Sequence, residues 1–364
     1  MAPVAGSMAI VLLLMRQLIA VLAPAQARAL IRCNPEDFLV DEQLGFAPDG
    51  QGEHVFLHIE KRGLTTPDLV ERVSSLAGIH PRDIGYSGLK DRHAVTRQWI
   101  SVRMAGKAEP DWQRLQVPGE VVVLDCCRHS RKLKRGVHRG NAFTLQLREL
   151  QGDEAGLLNA LERIRDRGVP NYFGEQRFGR GGATLLQARA WMQRGARKLS
   201  HSKRGLFLSA LRSELFNRLL AERVQAGTWA CLREGDVCLL QGSRSLFPCT
   251  ELDDALQQRA LDGDVHPGLP LWGSGASLQS PALVAVQKAV LSSEAAVCEF
   301  LERAGLTLSY RAARLLPDDF SWRFCDDESL ILTFNLPPGS YATAVLAELL
   351  DYREGYRERQ GRCE

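Results

Sequence analysis

No two of the nine cysteines make a C-x-x-C pair, and the eight histidines are not grouped with them. A zinc site is therefore not expected, and no metal is assigned. The cysteines stand at 33, 126, 127, 231, 238, 249, 298, 325 and 363. An odd number without a disulfide framework points to reduced thiols in the cytosol. Charge of one sign is scarce too: the formal net charge is only +3. The total therefore says nothing about nucleic acid, and only a local cluster could. Long apolar runs are missing. Met8 to Leu14 is apolar, Arg16 breaks the run, and Leu18 to Leu22 follows. That is too short to span a bilayer. Ala23-Pro24-Ala25-Gln26-Ala27 resembles a small-residue cleavage region, but no Lys or Arg precedes the apolar run as in a signal peptide. Residues 1–29 are read as an N-terminal extension and the protein as cytoplasmic, with no membrane partner. Solenoid repeats and low-complexity tracts are absent. Gly179-Arg180-Gly181-Gly182 lacks the Gly-Lys-Ser/Thr ending of a P-loop and is not G-x-G-x-x-G, which excludes nucleotide binding there.

What the chain does have is enough apolar material for two ordinary cores: 364 residues, 45% hydrophobic and 24% charged. One stretch stands out, Gly85-Tyr86-Ser87-Gly88-Leu89-Lys90-Asp91-Arg92-His93-Ala94-Val95-Thr96-Arg97-Gln98-Trp99. It sets one carboxylate, Asp91, among Lys90, Arg92, Arg97 and His93. Gly85 and Gly88 allow a tight turn, and Trp99 to Val102 alternates like a strand. Cations favour an ionised carboxylate. On its residues alone such a cluster is more often a solvated ion pair than a site.

Upstream, Phe38, Val40 and Glu42 alternate with Leu39 and Asp41 in a short strand. A second strand follows around Val55, Leu57 and Ile59, with His54 and His58 on its outer face. Thr66 is expected to cap a helix that starts with Pro67 and Asp68, buries Leu69, Val70, Val73, Leu76 and Ala77, and stops at Gly78. Glu120 to Leu124 reads as a strand. Arg128 to His138 and Arg139 then pack six Arg or Lys and two His into twelve residues. In a chain of balanced charge this is a local footprint for phosphates, although most such runs are solvated loops. Asn141, Phe143, Leu145 and Leu147 share one face of the next strand. Alternation alone makes Phe143 a core residue.

Residues from about 183 to 310 look like a separate unit. Lys203-Arg204-Gly205 is expected to precede an amphipathic helix, Val265 to Gly273 to form a rigid loop, and Glu294 to Ala304 to be helical. Leu330, Leu332 and Phe334 alternate on a strand, and Ser340 is placed as the cap of a final helix.

Gly88-Leu89-Lys90-Asp91-Arg92-His93-Ala94-Val95-Thr96-Arg97-Gln98-Trp99 resembles the catalytic motif of the TruD family of pseudouridine synthases. Arg32 to Glu42, Asn141-Ala142-Phe143-Thr144-Leu145, and Val169-Pro170-Asn171-Tyr172-Phe173-Gly174-Glu175-Gln176-Arg177-Phe178-Gly179 resemble further motifs in family order. So do Arg311 to Trp322 and Leu336 to Leu346. Val265 to Gly273 departs from the family form: Gly268-Leu269-Pro270 stands where Thr-Gly-Pro is usual.

The resemblance implies an α+β fold. A pseudouridine synthase catalytic domain with a mixed, largely antiparallel sheet spans 30–167 and 317–364. An inserted α/β domain spans 168–316, with RNA held in a cleft between them. It implies uridine isomerisation in tRNA at position 13, with Asp91 as the essential carboxylate, a flipped-out base and no cofactor. Phe38, Asn141, Phe143, Arg32, Glu36 and Lys90 would line the site; the family often has Lys where this chain has Arg32. Lys90 or Arg32 would keep Asp91 ionised, and Arg32 is preferred because adjacent residues often point apart. Phosphates would be held by Arg92, Arg97, Arg128, Arg131, Lys132, Lys134, Arg135, Arg139, Arg177, Lys203 and Arg204. The partner implied is tRNA, with no protein partner. A non-catalytic RNA-binding or tRNA-folding protein on the same scaffold is the alternative. A two-metal nuclease would want acids clustered at Asp91, and a methyltransferase would want a glycine-rich turn after a strand; neither is present.

Overall fold

The computed structural model describes residues 27–243 and 245–356. Most of the expected N-terminal extension lies outside the described residues, and Ala27 already opens a strand. In chain order the first strands are β1 (Ala27–Ile31), β2 (Phe38–Gln43), β3 (His54–Arg62), β4 (Ile84–Tyr86), β5 (Val95–Arg103), β6 (Val121–His129) and β7 (Gly140–Gly152), with helix α1 (Thr66–Ala77) after β3. Then come α2 (Glu154–Arg167), β8 (Val169–Pro170), α3 (Ala183–Gln193), α4 (His201–Gln225), β9 (Val237–Leu240) and β10 (Leu246–Pro248). They are followed by α5 (Asp254–Leu261), β11 (Val265–Leu271), α6 (Pro281–Val290), α7 (Ala295–Arg303), β12 (Ser309–Ala312) and β13 (Arg314–Leu315). The chain closes with β14 (Asp318–Cys325), β15 (Ser329–Leu336), α8 (Ala342–Ala347) and β16 (Leu350–Glu354). Two compact units result: one of Ala27–Glu154, Pro317–Gly339 and the segment from Leu350, the other of Ala155–Leu316 and Ser340–Leu349.

The first unit is built on one mixed sheet in the order β14-β15-β7-β2-β5-β3-β6, with β1, β16 and β4 attached at its sides. Only β2 with β5 and β1 with β16 run parallel. The mixed, largely antiparallel sheet expected of an α+β fold is therefore present. Val55, Leu57 and Ile59 of β3 and Ile100 and Val102 of β5 share a core with Leu69, Val70 and Val73 of α1. Each such side chain contributes about 1.5–3 kcal/mol on burial.

Local chemistry fixes α1. Its cap is Thr65 rather than Thr66: the Asp68 amide donates to Thr65 Oγ1 (3.3 Å) and the Thr65 amide to the Asp68 carboxylate (3.2 Å). The shift by one residue follows from the reciprocal bond, which needs an acid three residues on. Gly78 ends the helix at φ 59°.

The other face of β3 is also covered, so His54 is not a surface residue and His58 is half-buried. Phe56 is buried with Leu44 and Leu133, His54 is 4% exposed, and His58 stacks on Trp99 at 4.6 Å. Gly85 serves a close approach and makes no tight turn, since a Cβ there would lie 2.3 Å from the Leu133 carbonyl oxygen. β6 runs on to His129, past the expected end at Leu124, because β3 supplies partners as far as His54.

In the second unit α4 buries Phe207, Leu211, Leu215, Phe216 and Leu219 in the main core. Lys203 and Arg204 sit inside α4, which begins earlier because Ser200 Oγ caps it. Residues 265–271 are a buried strand instead of a loop: β11 pairs with both β9 and β12, handing over from one to the other at Gly268. The cap of α8 is Tyr341, which makes no side-chain capping bond, so Ser340 does not fill that place. The last described strand is β16, beyond that helix.

Candidate active site

Asp91 lies on the loop between β4 and β5, in the first unit. Two side chains, Lys61 and Thr66, hold this loop by its backbone. The fully buried Lys61 ammonium donates to the carbonyl oxygens of Leu64 (2.5 Å) and Asp91 (2.9 Å). The Lys90 amide donates to Thr66 Oγ1 (2.9 Å), and that hydroxyl donates to Gln98 Oε1 (2.9 Å). Burial pushes the Lys61 ammonium down to about 8; Lys90 adds to this, while Asp91 and Asp68 oppose it.

The loop's two central side chains point to different partners. Asp91 Oδ2 accepts from Arg32 Nη2 at 2.8 Å. Lys90 Nζ donates to Glu42 Oε2 (2.5 Å) and to Asn141 Oδ1 (2.8 Å). Arg32, just after β1, is 6% exposed by side chain against 38% for Asp91, so the cation is held inside and the carboxylate can be reached. The Arg32 guanidinium lies 4.0 Å above the Phe38 ring, and its Nη1 donates to Glu354 Oε1 (2.9 Å). The backbone of Arg32 is left-handed, φ 55°. That conformation costs about 1–2 kcal/mol for a residue with a Cβ.

Two more groups close this side. The Tyr356 hydroxyl donates to Glu354 Oε2 (2.9 Å), and the Tyr356 ring stacks on His93 at 3.9 Å. Burial, and then the Arg92 charge, hold the His93 imidazole below its usual value.

Phe143 on β7 meets Phe38 edge-on at 6.2 Å and stacks on Phe334 at 5.5 Å. Both Phe38 (3% exposed) and Phe143 (8%) are packed in the sheet. Asn141, two residues before Phe143, sits between Lys90 and His138, whose Nε2 is 3.4 Å from Asn141 Nδ2.

The structure thus brings together Arg32, Phe38, Lys90, Asp91, Asn141 and Phe143. Glu36 forms a surface pair with Arg62, and the buried acid of its turn is Asp37, bound by Arg148. The crowd of cations around Asp91 thins out. Arg97 pairs with Glu60 (2.8 Å) and Asp41 (3.5 Å), and Arg92 Nε donates to the Gly63 carbonyl. In the basic segment Arg128 lies on β6 and pairs with Glu109, Lys132 donates to the Arg82 carbonyl, and Arg135 to Tyr86 Oη. Arg131, Lys134 and Arg139 are exposed. In the second unit Arg177 donates to Ser213 Oγ (3.1 Å), Arg204 to the Ala304 carbonyl (3.0 Å), and the Lys203 ammonium lies over Phe207.

Five residues of this site were not among the expected site residues: Glu42, Lys61, His138, Glu354 and Tyr356. Glu42 and Lys61 did carry a signal, since each is a charge at an inward position of an alternating strand. Glu354 and Tyr356 carried none, because strand pairing brings them in from the far end of the chain.

The family model described as tRNA pseudouridine synthase D (TruD) matches residues 21–194 and 182–349. The protein named tRNA pseudouridine synthase D of Methylococcus capsulatus is 48% identical over 325 residues, 89% of this chain and 92% of that protein. Its namesake from Nitrosococcus oceani is 46% identical over 91% of this chain and 93% of its own length. The solved structure of the TruD protein of Methanosarcina mazei has the same fold: TM-score 0.66 at 20% identity, covering 92% of this chain and 95% of that one. Fold and matches together define an enzyme class, the tRNA pseudouridine synthases, which are isomerases. Within that class the chain belongs to the TruD family. Among the described residues no single helix is long and apolar enough to cross a membrane.

Proposed function

We propose that this chain converts uridine to pseudouridine at position 13 of tRNA, in the cytoplasm, with Asp91 as the essential carboxylate acting on a flipped-out base. In that reaction the N1–C1′ bond breaks, the uracil turns, a C5–C1′ bond forms, and the C5 proton is lost as N1 gains one. Atoms and electrons balance within the substrate.

One observation carries the reading: a reachable Asp91 carboxylate bonded at 2.8 Å to a buried guanidinium. The buried Arg32 guanidinium holds the carboxylate in place. An ionised carboxylate serves either as nucleophile on base or sugar or as base at the sugar 2′ position. Lys61 and Thr66 fix the loop backbone, so Asp91 presents its side chain from a held position. Phe38 supports Arg32 from below, and Asn141 and Phe143 border the place where the base would enter. Flipping a nucleotide costs a few kcal/mol, returned by edge contacts and stacking. Arg131, Lys134 and Arg139 are exposed cations suited to phosphates.

The test is mass spectrometry of an unmodified tRNA transcript after incubation, with pseudouridine-specific derivatisation, comparing wild type with D91N. Pseudouridine at position 13 from wild type alone is expected. Equal modification by D91N would remove Asp91 from the chemistry. Binding without modification by either protein would turn the reading towards a tRNA-folding role.

A further inference from the structure

Behind Asn141 runs a buried chain of polar groups that the proposed chemistry leaves unused. It starts at Lys90. An ammonium only donates, so the Asn141 atom that faces Lys90 Nζ at 2.8 Å is the carbonyl oxygen. That places Asn141 Nδ2 toward His138 Nε2, 3.4 Å away. An amide nitrogen only donates, so Nε2 must accept and carry no proton. The imidazole hydrogen then sits on Nδ1, where Ser87 Oγ is its partner. The same hydroxyl oxygen accepts the backbone amide of His138 at 3.0 Å. His138 and Ser87 are 7% and 3% exposed, so water does not substitute for these partners.

We propose that His138 is a positioning residue: as the neutral Nδ1–H tautomer it holds the Asn141 amide with its oxygen on Lys90, leaving the second Nδ2 hydrogen for a carbonyl of the uracil. This rests on the reading of Asn141 as a border of the uridine pocket. A protonated imidazole would present a second donor to Asn141. The amide would have to turn over, which would set its nitrogen against the Lys90 ammonium, donor against donor. The site is therefore compatible with neutral His138 only.

Burial and two charged groups bear on that proton. Burial holds the imidazole below its ordinary value of 6.5, the Lys90 charge acts in the same direction, and Glu42 opposes them. His138 thus stays neutral through the neutral range and takes a proton only in acid, where turnover should fall.

The experiment is the pH profile of pseudouridine formation by the full chain on a tRNA transcript, from about pH 5 to pH 9. Wild type is compared with H138Q, H138L and D91N. The Gln carbonyl can accept from Asn141 in place of Nε2 and does not titrate. H138Q should retain turnover near neutral pH and lose the acid fall of wild type. H138L should lower kcat on the order of ten- to hundredfold with little change in KM. An acid fall of the same shape in wild type and H138Q overturns the proposal, and so does an H138L profile equal to wild type. D91N reads the catalytic assignment separately, since its activity does not depend on the comparison between the His138 variants. Should the variants not fold, long-range 1H–15N spectra of wild type decide. His138, assigned through its backbone amide, is expected as the Nδ1–H tautomer at neutral pH; the Nε2–H tautomer or an imidazolium there overturns the proposal.

Discussion

Arg32 joins Asp91 and Glu354 through two arms of one guanidinium, with Phe38 beneath it, from a left-handed backbone. A planar fork suits two carboxylates better than a single ammonium does. R32M should lower turnover on the order of a hundredfold, because Asp91 loses the charge that holds it in place. R32K should lose far less, since one ammonium can still serve Asp91 while releasing Glu354. Equal losses in the two variants, measured as kcat on tRNA, would show that shape rather than charge matters at this position. Lys61 gives a second residue-scale expectation, this time on stability. Its folded-state value of about 8 lies below the ordinary 10.5. Between the two, the unfolded chain binds a proton that the folded chain has released, so stability rises with pH across that window and is lowest below it. Urea midpoints should climb from pH 8 to about pH 10 in wild type and not in K61M. A flat wild-type series would contradict the charge assigned to this buried group. Lys61 was open to inference, as a charge that closes the inward row Val55, Leu57, Ile59. Its partner could not be read, because the Asp91 carbonyl meets it only through the fold.

β1 and β16 pair in parallel across more than three hundred residues, and this pairing delivers Glu354 to Arg32. Ending the chain at Leu349 removes β16, bares one edge of β1 and takes away Glu354. The thermal midpoint and kcat should both fall. E354Q keeps the strand and should lower kcat with little change in the midpoint. If truncation leaves kcat intact, Glu354 has no part in orienting Arg32. Which elements were legible follows from the range of their causes. α1 was readable because Pro67, Asp68, a buried stripe and Gly78 all act within one helix; the cap slipped from Thr65 to Thr66 because adjacent threonines differ only in the reciprocal bond to Asp68. β16 was unreadable because its cause lies at the other end of the chain. Pro267 and Pro270 suggested a rigid loop where there is a central strand, because the hand-over at Gly268 decides which backbone groups of β11 need partners.

At the scale of the molecule a net charge of +3 gives tRNA no general reason to bind, so attraction must come from a local surface. The sequence marked the segment 128–139 by its density of Arg and Lys, but density does not say which charges are already spent. Three of its six cations are committed: Arg128 to Glu109, Lys132 to the Arg82 carbonyl and Arg135 to Tyr86. Arg131, Lys134 and Arg139 remain exposed. A cation that touches a phosphate releases counterions, and removing one such cation reduces the salt slope of log affinity by about one. Replacing Arg131, Lys134 and Arg139 together by Ala should therefore flatten the slope by about two to three and raise KM far more than it lowers kcat. Replacing Arg128 should change stability more than slope, because its charge is engaged within the protein. Titrations of tRNA binding against salt separate the two outcomes. An unchanged slope in the triple variant would move the phosphate footprint off this segment, whatever its charge density in the sequence.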